Sequence, residues 1–176
     1  MAWQKVRIDI PKDYKPAIRE AIAQDVIQYI VERTKRGVGK NDRPWSGKAA
    51  VYSKSYIKGL DFRNAGKRNS PVDLTLSADM LTDLQLLSHN KGSVLIGYNN
   101  GSENNAKAEG NIKGTYGNKK PIPGKSRDFL GITKKSLNKI LGNYPLDIKE
   151  LEEIAARKEM IEGLVGSIFK GITVGE

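Results

Sequence analysis

The chain has 176 residues, enough for one domain with a hydrophobic core, and it has a net charge of +10 at neutral pH. Because it has no cysteine, disulfides, thiolate metal sites and cysteine nucleophiles are excluded. The mean hydropathy of −0.52, the lack of a long apolar run and an amino terminus without an apolar stretch predict a soluble protein with no membrane span or secretory signal.

The first predicted elements are a strand and a long helix. Apolar and charged residues alternate over 5–10, as in a strand with one buried face, and Pro11 ends this alternation. Apolar residues then recur every four positions, which predicts a helix over about 16–34. Gly37 follows at the place where glycine commonly ends a helix.

A long insertion follows the helix. Residues 36–73 have no sustained periodicity and are rich in lysine, glycine and aromatic residues, which predicts an extended hairpin or a loop that is ordered only on assembly. A short strand is predicted at 74–76. Ser77 then suits the N-cap of a helix whose Met80 and Leu81 face the core.

Two strands joined by a tight turn are predicted next, over about 84–90 and 94–96. Gly92 is expected to supply a positive φ in that turn. Residues 99–126 are rich in asparagine, glycine and lysine, which predicts a second exposed loop with a short helix at 106–110.

The last part of the chain is predicted to be helical. Phe129 and Leu130 are expected to be buried where the chain returns from the loop, and Thr133 can cap a helix that ends near 141. An apolar stripe predicts a final amphipathic helix over about 147–170. The chain is therefore divided into a core domain, 1–141, with basic insertions at 36–73 and 99–126, and a helical extension, 142–176.

The positive charge is concentrated in two stretches. Residues 33–70 have a net charge of +9 and residues 91–139 a net charge of +7. Lysines on loops can approach DNA without reading its sequence, or they can contact an acidic neighbouring subunit, or they can simply be hydrated. The candidate residues for such contacts are Lys40, Lys48, Lys54, Lys58, Lys67, Arg68, Lys113, Lys119 and Lys120.

Aromatic and basic residues alternate over 43–63. Such a pattern is found where aromatic rings stack on nucleic-acid bases and lysines bind phosphates. We favour the alternative, in which Trp45 and Tyr56 pack against the core or a neighbour while the lysines are hydrated.

Catalytic patterns are weak. His89 is the only histidine, which leaves little basis for a catalytic triad or a histidine metal site. Asp73, Asp79 and Asp83 could form a carboxylate cluster for a divalent ion, but an acidic helix start explains them more simply. The glycine-rich segments at 36–40 and 110–117 lack the pattern of a nucleotide-binding loop. We therefore predict no catalytic residue, no metal and no cofactor.

Several motifs occur in a characteristic order. Leu-Ser-Ala-Asp-Met-Leu over 76–81 is followed by Ile-Gly at 96–97, by an Ala-Gly segment at 106–110, and by Arg-Asp-Phe-Leu-Gly at 127–131. Together they resemble the phage virion morphogenesis family, the neck and tail-completion proteins of tailed bacteriophages. Ala78 and Asp128 depart from the glycine and proline usual in that family. The residues that match are Trp45, Tyr56, Ser77, Met80, Leu81, Gly97, Gly110, Arg127, Phe129, Leu130 and Gly131.

This resemblance implies an α+β fold, in which an N-terminal helix packs on a small, mostly antiparallel sheet. It also implies a structural subunit, not an enzyme. Such a subunit would be assembled in the bacterial cytoplasm and would form a ring of about six or twelve copies in the virion neck. Its neighbours there would be portal or head-completion proteins on one side and tail proteins on the other. The DNA would pass through the ring. A basic protein that binds nucleic acid without sequence preference, and a metal-dependent nuclease, are the alternatives.

Overall fold

The computed structural model describes residues 3–67, 69–75, 79–115 and 120–146. The chain divides into two compact units, Met1–Asn143 and Tyr144–Glu176. The helix predicted over 147–170 lies outside the described residues. The same is true of three predicted functional residues, namely Arg68, Ser77 and Lys119.

A three-stranded antiparallel sheet forms the centre of the first unit. Its strands are β1 (Lys5–Asp9), β2 (Gln85–Asn90) and β3 (Ser93–Gly97), in the order β1-β3-β2. The central strand β3 is the most apolar, and its Val94 and Ile96 are fully buried. The antiparallel pairing and the helices around it confirm the predicted α+β fold.

Helix α1 (Pro16–Lys35) covers one face of this sheet and packs on β2 and β3. Pro16 occupies its first turn. Proline is well tolerated there because an N–H group at this position would have no acceptor within the helix. The stripe that was predicted from the four-residue period is buried, with Ile22, Val26 and Ile30 fully enclosed. Burial of this stripe against the sheet, more than helix propensity, holds α1 in place.

Two local predictions about the backbone are wrong. Gly92 does not have a positive φ. Its turn is instead stabilised by Asn90, whose Oδ1 accepts hydrogen bonds from the Gly92 N–H and the Ser93 hydroxyl, both at 3.1 Å. Leu74 is not in a strand, because its φ of +54° is in the left-handed region. The carboxylate of Asp73 accepts a hydrogen bond from the Thr75 N–H beside it, as in an Asx turn.

The segment 36–73, called the basic insert below, is folded and is not an extended hairpin. It contains a turn of 3-10 helix (Gly47–Ala49) and the short helices α2 (Lys54–Ile57) and α3 (Leu60–Asn64). Tyr52, Phe62 and Val72 form a small buried apolar cluster, and Trp45, Tyr56, Ile57 and Leu74 pack against it. Tertiary contacts, which leave no periodic trace in sequence, therefore stabilise this segment.

Three further helices complete the described structure: α4 (Asp79–Thr82), α5 (Glu103–Lys113) and α6 (Lys134–Leu141). Met80 and Leu81 of α4 are buried as predicted. Helix α5 is longer than the predicted helix at 106–110 and is partly buried, so the stretch 99–126 is not simply an exposed loop. Every helix within the described ranges is too short or too polar to cross a membrane.

Candidate interface and the residues that support it

The motif residue Arg127 is a buried structural clamp. Its guanidinium donates hydrogen bonds to the backbone oxygens of Ala49 at 2.8 Å and Val51 at 3.0 Å, and to the side-chain oxygen of Asn111 at 3.4 Å. Burial lowers the pKa of Arg127, although the group remains a cation. It joins the basic insert to α5, two segments far apart in sequence.

Other residues of the motif set are placed in the core. Phe129 is fully buried and Leu130 is 8% exposed, as expected from the sequence. Gly97 is needed for a close approach of two strands, because a Cβ atom there would lie 2.6 Å from the backbone oxygen of Gln4. Gly110 is buried within α5. These residues are buried and help to build the domain.

A polar network that was not predicted from the sequence surrounds Arg33 and Asp42. Arg33 is 1% exposed, and its guanidinium donates to the backbone oxygens of Phe129 at 2.6 Å and Gly131 at 3.0 Å and to the Asp42 carboxylate at 3.2 Å. Asp42 has a φ of +58° and also accepts hydrogen bonds from Tyr29, Thr133 and Ser136. One feature of the sequence could have indicated this network. Arg33 continues the buried stripe of α1, and a buried charge requires a partner.

The ionisation of Asp42 should make stability depend on pH. Partial burial opposes ionisation of this carboxyl, but hydrogen bonds from Thr133, Ser136, Tyr29 and Arg33 outweigh it and lower its pKa from 3.8 to about 2. A lowered folded-state pKa stabilises the fold above pH 3.8, and this contribution is lost as the pH falls towards 2.

We therefore expect the wild type to lose about 1.5 kcal/mol more stability than Asp42→Asn between pH 5 and pH 2.5. Asparagine has a similar shape and tolerates the left-handed backbone but does not titrate, so the difference between the two pH curves isolates the ionisation of Asp42. Urea unfolding at each pH would measure the difference. Parallel pH curves for the two proteins would show that Asp42 does not contribute in this way.

Lys67 is not the solvent-facing cation that was predicted. Its side chain is 5% exposed, and its ammonium group lies 2.5 Å from the Asp73 carboxylate and 3.2 Å from the Tyr52 hydroxyl. Tyr52 in turn donates to Asp73 at 2.7 Å. Burial and the neighbouring Asp73 raise the pKa of Tyr52, so its phenol stays neutral. This cluster links three distant positions within the basic insert.

The other predicted basic residues fall into two groups. Lys40 pairs with Asp128 at 2.7 Å and Lys113 pairs with Glu109 at 2.5 Å, so intramolecular carboxylates already neutralise them. Exposed residues with no ion pair to any described residue form the second group, which consists of Lys48, Lys54, Lys58 and Lys120. The first three lie in the basic insert and are called the basic surface below.

Two apolar side chains are also exposed in the basic insert. Val51 is 53% exposed and Leu60 is 68% exposed. By contrast, the aromatic rings of Tyr52, Tyr56 and Phe62 contact one another, with centroids 5.1 to 5.4 Å apart. These three rings therefore pack against one another, whereas Val51, Leu60 and the lysines of the basic surface are exposed.

Residues that could suggest catalysis have ordinary partners. His89 lies 3.2 Å from Glu20 at the surface, Asp73 is paired with Lys67, and Asp83 accepts a hydrogen bond from Asn104 at 3.3 Å. Across the described parts of the chain, no three histidine or carboxylate side chains are grouped as metal ligands.

Comparison with known proteins does not assign the chain to a family. No family model matches it, and no curated protein or solved structure has significant similarity to it.

Proposed function

We propose that the protein is a structural subunit of a bacteriophage neck, a head–tail connector or tail-completion ring. In this role, about six or twelve copies would join or seal the DNA-filled head to the tail. Its partners would be copies of itself, portal or head-completion proteins, tail proteins and the passing DNA. The protein would be assembled in the host cytoplasm and retained in the virion.

The observation that carries this proposal is the surface of the basic insert. The insert is joined to α5 by the Arg127 clamp and packs around its own apolar cluster. Leu60 and Val51, in the same segment as the basic surface, are nevertheless exposed. Exposed aliphatic side chains and unpaired lysines on one folded segment would suit a subunit interface next to a polyanion.

The ring is tested by electron microscopy and light scattering of the purified full chain. We expect closed rings for the wild type and for Gln24→Glu, an exposed position on α1. We expect monomers for Leu60→Glu, because a carboxylate cannot be buried in an apolar contact without a partner. Phage particles without this protein should have filled or leaking heads and no functional tail. Normal, infectious particles would exclude the proposal.

The second candidate is a protein that binds nucleic acid without sequence preference, and the unpaired charges of the basic surface favour it. Tight, strongly salt-dependent DNA binding by a monomer would support this function over the ring. Removing Lys48, Lys54 and Lys58 together should then lower the slope of log affinity against log salt by about three. The matched control removes three exposed lysines of α6, Lys134, Lys135 and Lys139.

A further inference from the structure

The edge strand β1 has a row of backbone groups that the sheet does not use. At one end of its ladder with β3, the Tyr98 N–H donates to the Gln4 carbonyl at 3.2 Å. At the other end, the Ile10 N–H donates to the Gly92 carbonyl at 2.9 Å. Hydrogen bonds in an antiparallel pair join alternate residues, so the even-numbered residues of β1 bond to β3. The backbone groups that point away from the sheet, and that have no partner among the described residues, are those of Lys5, Arg7 and Asp9.

This edge of the sheet is regular. All five residues of β1 pair with β3 in one continuous register, and β3 is the described element that packs along β1. The opposite edge strand, β2, has an irregularity between Leu86 and Ser88. Bulges at an edge discourage the addition of another strand, whereas a regular edge is a template for one. Strand β1 is therefore the edge that suits a further strand.

The charges along β1 are complementary to a second copy of the same strand. Lys5, Arg7 and Asp9 are all exposed, and the side chain of Asp9 is 81% exposed although Arg7 contacts it at 3.1 Å. In an antiparallel pair of β1 strands with Arg7 at the two-fold axis, Lys5 of each copy lies opposite Asp9 of the other. This register satisfies the outward backbone groups of all three residues with about six hydrogen bonds. It also forms two Lys5–Asp9 ion pairs, against one unfavourable contact between the two Arg7 side chains.

An exposed aromatic residue continues the same strip. Trp3 is 40% exposed, and the Lys5 ammonium lies 3.7 Å from its ring centroid, so the two side chains share one face. The same register places Trp3 opposite Pro11 of the second copy, where the missing N–H of proline ends the ladder. Tryptophan is among the residues that most often anchor protein interfaces. The backbone, the charges and an apolar anchor thus fit one partner strand.

We propose that two copies of this chain pair through the free edges of their β1 strands, which forms a two-fold dimer with one continuous sheet. The interface is small, so the dimer is weak and forms only in concentrated solution. This contact is separate from the ring contact at Leu60 and exists whether or not rings form. The Leu60→Glu chain is therefore the parent protein for the test, since no ring contact at Leu60 can contribute to its association.

Sedimentation equilibrium and amide hydrogen exchange of this parent, over a range of concentrations, test the contact. We expect a monomer–dimer equilibrium in which exchange of the odd-numbered amides of β1 slows as the dimer fraction rises, while the even-numbered amides stay equally protected. Arg7→Pro removes an outward N–H and spares the ladder with β3, so dimerisation should weaken by roughly tenfold or more. A parent that is monomeric at every concentration, or equal dimerisation of Arg7→Pro, would overturn the proposal.

Exchanged charges identify the partner strand and its register. In the parent, Lys5→Glu places two carboxylates opposite each other and Asp9→Lys places two ammonium groups opposite each other, so each variant should self-associate roughly tenfold more weakly. A mixture of the two should form mixed dimers about as well as the parent, because the new carboxylate at position 5 meets the new ammonium at position 9. Lys135→Glu, exposed on α6, is the control with the same change in net charge, and it should not restore association to Asp9→Lys. If the mixture associates no better than the separate variants, the proposal is wrong, and this result decides the matter even if Arg7→Pro does not fold.

Discussion

Arg33→Met is expected to lower the free energy of unfolding by about 3–5 kcal/mol. The guanidinium bonds to the backbone oxygens of Phe129 and Gly131 and to the Asp42 carboxylate, and it is almost fully enclosed. Methionine can fill much of the space, but it leaves two buried carbonyls without their side-chain donor and removes one of the four donors to the Asp42 carboxylate. Urea unfolding of the full chain would measure the loss.

Arg36→Met is the matched control for this experiment. Arg36 is exposed at the C-cap of α1, so the same substitution should change stability by less than about 0.5 kcal/mol. A double-mutant cycle with Asp42→Asn should show coupling, because Arg33 and Asp42 are in contact at 3.2 Å. Similar, small losses for Arg33→Met and Arg36→Met would mean that the network does not hold these segments together.

Phe129→Ala is expected to have a comparable effect, a loss of about 3–5 kcal/mol, because it removes a fully buried ring and leaves a cavity. For a chain of this size, each kcal/mol corresponds to roughly 2–4 °C in melting temperature. The expected fall is therefore large enough to follow by circular dichroism during heating.

Lys120→Ala is the control, since Lys120 is exposed in the preceding loop and should tolerate alanine. Lys120→Ala must leave the melting temperature almost unchanged if the comparison with Phe129→Ala is to be informative. If Phe129→Ala also leaves it unchanged, the Arg-Asp-Phe-Leu-Gly segment is not the core element described above.

The sequence was sufficient to predict the helices and strands in which buried residues recur with a regular period. The alternation over 5–10, the four-residue stripe of α1 and the apolar residues of β3 each indicated the face that is buried. Ser102, which was not singled out, caps α5 and makes that helix longer than the apolar residues alone suggested. Turn chemistry was harder to predict, because at Gly92 a side-chain acceptor from Asn90 replaced a positive φ.

The basic residues show where sequence reasoning ends. Three lysines of one lysine-rich segment cannot be told apart by sequence pattern. In the structure, Lys40 is paired with Asp128, Lys58 is exposed, and Lys67 is buried against Asp73. The partners of the paired lysines come from residues 73 and 128, and the partners of Arg33 come from residues 42, 129 and 131. Periodicity reports which face of an element is buried, whereas the partner of a charge depends on which distant segments meet. The sequence thus determined the main elements and the α+β class, and only the tertiary structure decided which cations support the fold and which remain available to a partner.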